Sequence, residues 1–476
     1  MNKNRKKKLL PFICMIIVLT TVLSGCKGST AEEKTGSQQN SGKQEKEVAV
    51  PSDMTGDVVK IGSAEDLEEF RERVNGGETE INGLLTADID LSSICGEEKG
   101  NWQPIEYFNG IFDGNEHTVQ GLYIVDTETE EADMGGLFLY LQEDSIIRNL
   151  TVEDACLEVV NHAGVITNTS KGRIENCHGS GTVKGLQVGG IAGDGETFTD
   201  CSFSGTVEGR SDAGGIAAIA TLAEQCRNEA MVISMDEDSD NSVGGIAAFL
   251  SEASGCENVG TIVGYNYAGG IAGFCEEKTR INRCYSTASV TTGGMAGGIA
   301  GRSQGEILNC FQSGTVTTDC ETAAALLRDM GQEDFKVPTY TTVIAGGITA
   351  MGTEVLNCYT TGSVSVTTEN TTNRAAGIAT STEVVKNCYS TASLSGSLTE
   401  GIGKTSTEKE NCFFSENTAQ YISWKNTSTW EESTPTAAAA FTDGTVLNAL
   451  NEGAESLGDD YSAWKQGTDS PCFEWE

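Results

Sequence analysis

Nine cysteines at regular spacing are the residues of this chain whose type and pattern best suit chemistry. They recur at intervals of 24 to 48 residues: Cys177, Cys201, Cys226, Cys256, Cys284, Cys310, Cys358, Cys388 and Cys412. Thiols form disulfides, bind soft metals or pack as small apolar groups. The chain has no CxxC pair, which argues against a metal site. A residue that returns once per repeat stacks on its own copies, so we expect buried thiols, with disulfides between adjacent turns as the alternative.

An aromatic ring follows the cysteine in the later repeats. The rings are Tyr285, Phe311, Tyr359, Tyr389 and Phe413. Side chains alternate along a strand, so an inward cysteine places the next residue outward. A stripe of outward rings is suited to a sugar or a partner protein. The rings are therefore a possible ligand-binding stripe, and the alternative is that a corner turns these rings inward as core.

Groups for acid–base or hydrolytic chemistry are scarce in the sequence. There are only three histidines, and no HExxH motif occurs. A polysaccharide-active β-helix enzyme needs converging carboxylates, for which Asp194, Asp200 and Asp212 are the nearest candidates. Acidic residues are common throughout the chain, so these three carry little weight. We predict a non-enzymatic protein with no catalytic residue and no cofactor.

One acidic loop has the alternation of a calcium-binding loop. Its carboxylates are Asp236, Asp238 and Asp240. An EF-hand pattern also requires glycine at position 241 and glutamate at position 247, where this chain has Asn241 and Ala247. A solvated acidic loop is the favoured interpretation, and the three aspartates are only a weak candidate for a metal site.

The elements that position these residues come from an internal repeat. A Gly-Gly-Ile-Ala phrase begins at 189, 214, 244, 269 and 297, with related copies before and after. Each ladder cysteine follows the apolar residue of its phrase by 10 to 13 positions, and a Val, Ile or Leu comes six residues later in nearly every copy. Three coupled apolar positions in a period near 25 predict three short strands per coil. The fold class is all-β: a right-handed, three-sided parallel β-solenoid of about ten coils.

The corners of this solenoid have their own pattern. We assign the repeat glycines to corners that need positive φ. Asparagine precedes the cysteine in several coils and tolerates the left-handed region, so we also expect a corner ladder of stacked asparagines. Its members are Asn176, Asn309, Asn357, Asn387 and Asn411.

The N-terminus has the features of an export signal. Basic residues precede an apolar run from Leu9 to Leu23, and Leu23-Ser24-Gly25-Cys26 follows. This tetrapeptide resembles the lipobox of bacterial lipoproteins, which implies that Cys26 becomes a diacylglyceryl-modified N-terminus. The alternative is an ordinary secretory signal with a chance cysteine. We expect an extracytoplasmic, lipid-anchored protein on a bacterial cell surface.

Composition adds domain limits and excludes one class of partner. A net charge of −38 excludes a nucleic-acid-binding face. We divide the chain into a signal peptide (1–25), a disordered tether (26–55), an N-terminal α+β cap (56–126), the solenoid (127–415) and a C-terminal cap (416–476). Ser63 and Asp66 predict a helix over 64–75 in the first cap.

Taken together, the motifs resemble a known family. Gly-Gly-Ile-Ala-Gly, Asn-Cys-Tyr and Gly-Thr-Val are similar to the GLUG repeat of bacterial surface proteins, and the resemblance covers roughly residues 57 to 476. It implies an adhesin-like role or the non-catalytic part of an immunoglobulin-cleaving metallopeptidase. We expect a lipid-anchored solenoid that binds a glycan or protein of a host or neighbouring cell. The alternatives are an inert stalk or surface-layer component and, less favoured, the polysaccharide-active enzyme.

Overall fold

The computed structural model describes residues 48–128, 135–235, 241–329, 343–367, 373–416 and 433–476. Residues 49–476 form one compact unit. Cys26, the signal peptide and most of the tether lie outside the described residues, as do Asp236, Asp238 and Asp240. No helix among the described residues is long and apolar enough to cross a membrane.

Short parallel strands make up 57% of the structure and join into one continuous sheet. Its first strands are Val58–Ile61, Asn82–Leu85, Ile89–Asp90, Ile105–Phe108, Ile111–Gln120, Tyr123–Asp126, Phe138–Leu141, Ile146–Val159 and His162–Ala163. The middle strands are Thr167–Gly189, Ala192–Thr199, Ser202–Gly214, Ala217–Glu224, Arg227–Asn228, Met231–Ser234, Ser242–Gly244, Ala247–Ser254, Glu257–Asn258, Thr261–Gly264, Tyr267–Gly269, Ala272–Asn282, Tyr285–Ser286, Ser289–Thr292, Met295–Gly297, Ala300–Ser303, Glu306–Leu308, Phe311–Gln312 and Thr315–Thr318. The last are Ile344–Gly346, Thr349–Leu356, Tyr359–Thr360, Ser363–Val366, Arg374–Ala376, Ala379–Lys386, Tyr389–Ser390, Ser393–Ser395, Leu398–Glu400, Lys404–Glu410, Cys412–Ser415 and Ser433–Thr436.

These strands form the parallel β-solenoid that the sequence predicts. Equivalent residues pair from coil to coil, as in the register Val207–Val232–Ile262–Val290. The isoleucines after the glycine pairs, the cysteines and the valines are buried along the core. Leu394, at the end of the valine line, is only half-buried. Repetition therefore draws a single core out along the molecule instead of closing it into a globule.

The solenoid has about 12 turns instead of the ten expected. The reason lies in residues 56–126, where the strands pair in parallel with one another and then with Ile146–Val159. These residues extend the same sheet. The helix Ala64–Asn75 begins and ends where the sequence predicts, and Ser63 caps it by accepting a hydrogen bond from the Asp66 amide. Phe70 of this helix packs on Phe112 of the sheet.

The repeat glycines have a different role from the one expected. Gly215, Gly245 and Gly270 do not have positive φ. They are required because neighbouring turns approach closely. A Cβ on Gly245 would lie 2.0 Å from the Gly270 carbonyl oxygen and 2.5 Å from the Asn258 side chain. The positive-φ corner belongs instead to the residue before each cysteine.

A helix and a C-terminal segment lie outside the coils. The helix Cys320–Asp329 follows Thr315–Thr318, and Leu326 packs against Ile233 and Val263 on the outer face of the sheet. Pairing resumes across this insertion, since Val316 lies beside Val364. The C-terminal segment, defined here as residues 437–476, has a 3-10 turn Ala438–Phe441, a helix Thr445–Leu457 and an antiparallel hairpin of Trp464–Gln466 and Pro471–Phe473.

Candidate functional site

The nine ladder cysteines form a line of free thiols inside the solenoid. Each is at most 1% exposed. Backbone amides donate to the sulfur of the next turn, with 3.4 Å between the Cys284 nitrogen and Cys310 Sγ and 3.3 Å between the Cys358 nitrogen and Cys388 Sγ. Burial raises the pKa of the Cys284 and Cys310 thiols well above the usual range. Cys284 and Cys310 are therefore neutral packing groups rather than nucleophiles.

The remaining described cysteines are also free. Cys95, Cys275 and Cys320 are buried, Cys472 is half-buried and Cys156 is exposed. Although the residue is exposed, the surrounding protein partly desolvates the Cys156 thiol and raises its pKa, and the nearby Glu158 carboxylate adds to the effect. Among the described residues, no group of three or more His, Cys, Asp or Glu is arranged to hold a metal ion.

The residue before each cysteine forms a left-handed corner, as the sequence predicts. The φ angle is 53° at Asn309, Asn357 and Asn387 and 48° at Asn411. The side-chain amides join these turns: Asn357 Nδ2 donates to Asn309 Oδ1 over 2.7 Å, and Asn387 Nδ2 donates to Asn357 Oδ1 over 2.6 Å. These four residues are called the asparagine corner below. Asparagine is suited to this place because its amide supplies both a donor and an acceptor.

The aromatic rings after the cysteines stack regularly along the coils. The centroids of Tyr285 and Phe311 lie 4.9 Å apart with 5° between the ring planes. Phe311 and Tyr359 are 5.0 Å apart at 10°, and Tyr359 and Tyr389 are 5.0 Å apart at 6°. Phe413 continues the register beside Tyr389. The rings point away from the core that holds the cysteines, as alternation along the strand requires.

This aromatic stack is not an open ligand face, which corrects the sequence-based expectation. Phe311 is 8% exposed, Tyr359 4% and Tyr389 0%. The C-terminal segment covers them: Trp464 lies 5.7 Å from both tyrosine rings, and Phe473 lies 5.5 Å from Tyr359. The alternation rule gave the correct direction for the rings. It did not reveal that another part of the same chain packs on them.

The C-terminal segment also binds the asparagine corner. Asn357 Nδ2 donates to the Ser462 carbonyl over 3.0 Å, and Trp464 Nε1 donates to Asn357 Oδ1 over 2.8 Å. Asn387 donates to the carbonyl of Leu450. Gly453 lies inside the C-terminal helix at the point of closest approach, where a Cβ would be 2.0 Å from Asn387 Oδ1. The segment therefore lies along the side of the later coils, where it contacts both the stack and the corner.

Titratable groups at this contact are perturbed by burial. Burial, followed by the hydrogen bond to Glu257, raises the pKa of Tyr285 to about 12. Burial raises the pKa of Glu476, whose Oε2 accepts a hydrogen bond from the Tyr359 hydroxyl over 2.7 Å. Burial likewise raises the pKa of Tyr359. The Tyr359 side chain and the Glu476 carboxyl are thus desolvated where the C-terminal segment packs on the stack.

The acidic candidates for a glycan-cleaving site lie at different points of the coil. Asp194 Oδ2 lies 3.5 Å from His162 Nδ1. Asp200 occupies a left-handed corner with φ of 53°. Asp212 is buried and accepts hydrogen bonds from Gln187 and the Ser242 amide. Each of the three carboxylates is thus held within the repeat structure at a different point of the coil.

Two further polar arrangements follow the coil register. His178 Nδ1 lies 2.8 Å from Ser202 Oγ, and the two residues are partners in adjacent strands. A cleft of about 670 Å³ is lined by Glu158, Lys184 and Glu208 among others, and Lys184 pairs with Glu208 at 2.8 Å. In the cleft, residues of opposite charge follow one another from turn to turn and neutralise one another.

A second outward line of large side chains was missed by the sequence analysis. It is called the outer ladder below and consists of Ile219, Phe249, Phe274, Arg302 and Met351, which are register partners on successive turns. Ile219 is 37% exposed, and the other four are half-buried. Each is the third residue after the isoleucine of its glycine phrase. That constant offset was the signal by which it could have been found.

The side chains of the outer ladder contact one another. The ring centroids of Phe249 and Phe274 are 6.0 Å apart, and Tyr267 meets Phe274 edge-on at 5.8 Å. The Arg302 guanidinium lies over the Phe274 ring, 5.5 Å from its centroid. The described part of the C-terminal segment packs on the aromatic stack and not on this ladder. The outer ladder is therefore an ordered, partly exposed apolar surface.

Comparison with known proteins gives only distant similarities. No model of a known protein family matches the chain. Halomucin from Haloquadratum walsbyi is 34% identical over 120 residues, which is 23% of this chain and 1% of that protein's length. A candidate immunoglobulin A1 protease from Bacteroides ovatus covers 88% of this chain and 92% of its own, with 17% identity and a TM-score of 0.27. Another immunoglobulin A1 protease covers 59% of this chain and 24% of its own, with 14% identity and a TM-score of 0.37. With TM-scores this low, neither structure bears on the activity of this chain.

Proposed function

We propose that this protein is a lipid-anchored, GLUG-type cell-surface solenoid that presents a binding surface to ligands of a host or neighbouring cell. Cys26 carries the lipid, and the residues between Cys26 and the solenoid hold it away from the membrane. The role is adhesin-like and involves no catalysis. The observation that carries the proposal is the outer ladder, because it combines large apolar side chains, regular spacing and partial exposure on a rigid array.

The solenoid is a suitable scaffold for such a surface. About 12 turns at a spacing of ~4.8 Å place the two ends roughly 60 Å apart. Strand pairing fixes the direction of each outward side chain, so little conformational entropy is lost when a ligand binds. A net charge of −38 keeps neighbouring copies apart on a crowded surface.

An inert stalk is the second candidate function, and the aromatic stack favours it. The chain's own C-terminal segment occupies this stack, which shows that rings in register serve the fold at least once. If the outer ladder were likewise structural, the protein would act only as a spacer. Binding by the purified full chain separates the two functions.

The experiment is an array of glycans and extracellular-matrix proteins probed with the labelled full chain. The proposal predicts saturable binding that falls in Phe249→Ser and persists in Glu383→Ala, which changes an exposed residue of the strand Ala379–Lys386 that is not part of the outer ladder. An empty array, together with altered surface spacing in cells that lack the protein, would favour the stalk. Cleavage of any array component would contradict the non-catalytic role.

Anchoring needs its own test. The proposal predicts that the protein fractionates with membranes and that Cys26→Ala releases it to the soluble fraction with the solenoid intact by circular dichroism. Membrane association of the Cys26→Ala variant equal to that of the parent would contradict lipid anchoring, and it would leave the binding proposal unaffected.

A further inference from the structure

The outer ladder has the composition of a protein-binding surface. Phe, Tyr, Met and Arg are enriched at the centres of protein–protein interfaces, whereas Lys, Glu and Asp are depleted there. Phe249, Phe274 and Tyr267 form the aromatic centre, Arg302 stacks on it, and Met351 extends it. The residues are held on consecutive strands, so the surface is preorganised.

Carboxylates border this apolar centre. The strand that carries Phe249 continues into the exposed Glu252, and the strand that carries Phe274 continues through the exposed Glu276, Glu277 and Lys278 to Arg280, the register partner of Glu252. Carboxylates outnumber the cations on these two strands by three to two. The chain as a whole has a net charge of −38. Long-range attraction therefore favours a cationic partner, and like charge opposes a second copy of this chain or an acidic surface.

The aromatic stack shows how a line of outward rings is buried in this molecule. The C-terminal segment covers those rings with Trp464 and Phe473. The Ser462 carbonyl of the same segment accepts a hydrogen bond from the asparagine corner. The strands that carry the outer ladder have the same spacing from turn to turn, because both lines belong to one solenoid, although the Phe249 and Phe274 rings are tilted by 57° with centroids 6.0 Å apart. A polypeptide with apolar side chains fits the outer ladder in the same way.

We infer that the outer ladder is a docking site for a basic protein segment with apolar side chains, contributed by a different molecule. This inference rests on the proposed binding function and names the class of ligand and its position. The apolar side chains of the partner cover Phe249, Phe274 and Ile219. Its Lys or Arg residues face Glu252, Glu276 and Glu277.

The test uses the full chain and three fluorescent peptides of equal length, with alternating Leu and Lys, alternating Leu and Glu, and alternating Ser and Lys. Binding is measured by anisotropy at ~0.15 M salt, where long-range attraction is screened beyond ~8 Å. The inference predicts that only the Leu–Lys peptide binds saturably. Equal binding of Ser–Lys would overturn it, because the apolar contact would then be irrelevant, and so would no binding of Leu–Lys.

Matched charge changes locate the site. Ile219 is 37% exposed and Tyr107, on an early turn of the same register, is 54% exposed, so both positions tolerate a polar residue. We expect Ile219→Lys to weaken binding of the Leu–Lys peptide by about tenfold and Ile219→Glu to weaken it less, because glutamate loses the apolar contact but attracts the basic residues of the peptide. Tyr107→Lys and Tyr107→Glu carry the same charge changes and should alter binding less than twofold. Equal effects at both positions would show non-specific attraction and overturn the site.

A glycan is the competing ligand, and cellohexaose is the probe for it. Cellohexaose binding that Ile219→Lys abolishes, with no binding of the Leu–Lys peptide, would overturn the inference and leave the proposed binding function standing. If the array of glycans and matrix proteins is also empty, both fail. Saturable Leu–Lys binding that is sensitive to Ile219→Lys supports both.

Discussion

Substitution of Asn357 tests how the C-terminal segment is held on the solenoid. This side chain is fully buried, has φ of 53°, and makes hydrogen bonds to Asn309, Asn387, Ser462 and Trp464. Asn357→Ala removes all four hydrogen bonds. It also leaves alanine in the left-handed region, where its Cβ is strained and no side-chain hydrogen bond compensates. Asn357→Gly removes the same hydrogen bonds but adopts this conformation freely.

The two variants separate the free energy of docking from the conformational cost within the coil. Two hydrogen bonds reach the C-terminal segment, and at about 1.5 kcal/mol each their loss weakens docking by about 3 kcal/mol. That corresponds to a roughly 100-fold higher opening constant in both variants. The left-handed conformation costs Ala a further ~1–2 kcal/mol, and this cost falls on the coil itself.

Hydrogen exchange followed by mass spectrometry measures both effects. Peptides from 462–473 report docking of the segment, and peptides from 355–360 report the coil. We expect equally fast exchange of the segment in Asn357→Ala and Asn357→Gly, but faster exchange of the coil in Asn357→Ala than in Asn357→Gly. Asn176→Ala is the control, because it alters a left-handed corner, with φ of 49°, that is outside this contact.

The result that refutes this reasoning is unchanged exchange of residues 462–473 in both Asn357 variants. The segment would then be held by the aromatic contacts alone. Faster exchange of the segment in Asn176→Ala would also contradict it, since the effect would be general loss of stability and not loss of the local hydrogen bonds.

Three further predictions concern other parts of the structure. Gly453→Ala raises helix propensity by about 1 kcal/mol, yet we expect the C-terminal segment to undock because the added Cβ would clash with Asn387. Hydrogen exchange of residues 445–457 should therefore become faster in the variant, and slower exchange would contradict the prediction. Cys156 is exposed, so it should be the first thiol of the described residues to react with a disulfide reagent. Its reaction rate should still increase above pH 9, because partial desolvation raises the pKa of the thiol. A reaction rate that levels off below pH 9 would contradict this. Burial raises the pKa of Glu476 above 4.5, so the protonated carboxyl stabilises docking fully below pH 4.5, and this stabilisation is lost as pH rises through the higher pKa of the folded state. Glu476→Gln should remove this pH dependence of hydrogen exchange in the segment. An identical pH profile in the variant would refute the prediction.

The repeating part of the fold was predictable because every coil repeats the same sequence pattern. The cysteine, isoleucine and valine positions recur in one register, and each recurrence constrains the same core. Asparagine at the corner was predictable for a local reason, since few residues tolerate positive φ. The role of the glycines was misjudged because a close approach between turns leaves the same sequence pattern as a positive-φ corner.

Contacts made once per molecule were not predictable in this way. Nothing in the spacing of Trp464 or Gly453 connects them with Asn357 and Asn387, which lie far away in sequence. A glycine inside the helix Thr445–Leu457 was the available signal, because glycine weakens a helix unless packing requires it. The outer ladder was missed because its position is large and apolar in only part of the array.

Adhesion of cells that display the full chain tests the central claim most directly, namely that the solenoid binds ligands through its outer ladder. Cells with the parent protein, Ile219→Lys, or Tyr107→Lys are compared on surfaces coated with the ligand found on the array. The proposal predicts adhesion by the parent and by Tyr107→Lys and its loss in Ile219→Lys at equal surface levels of protein. Equal adhesion by all three, or by cells without the protein, would contradict it.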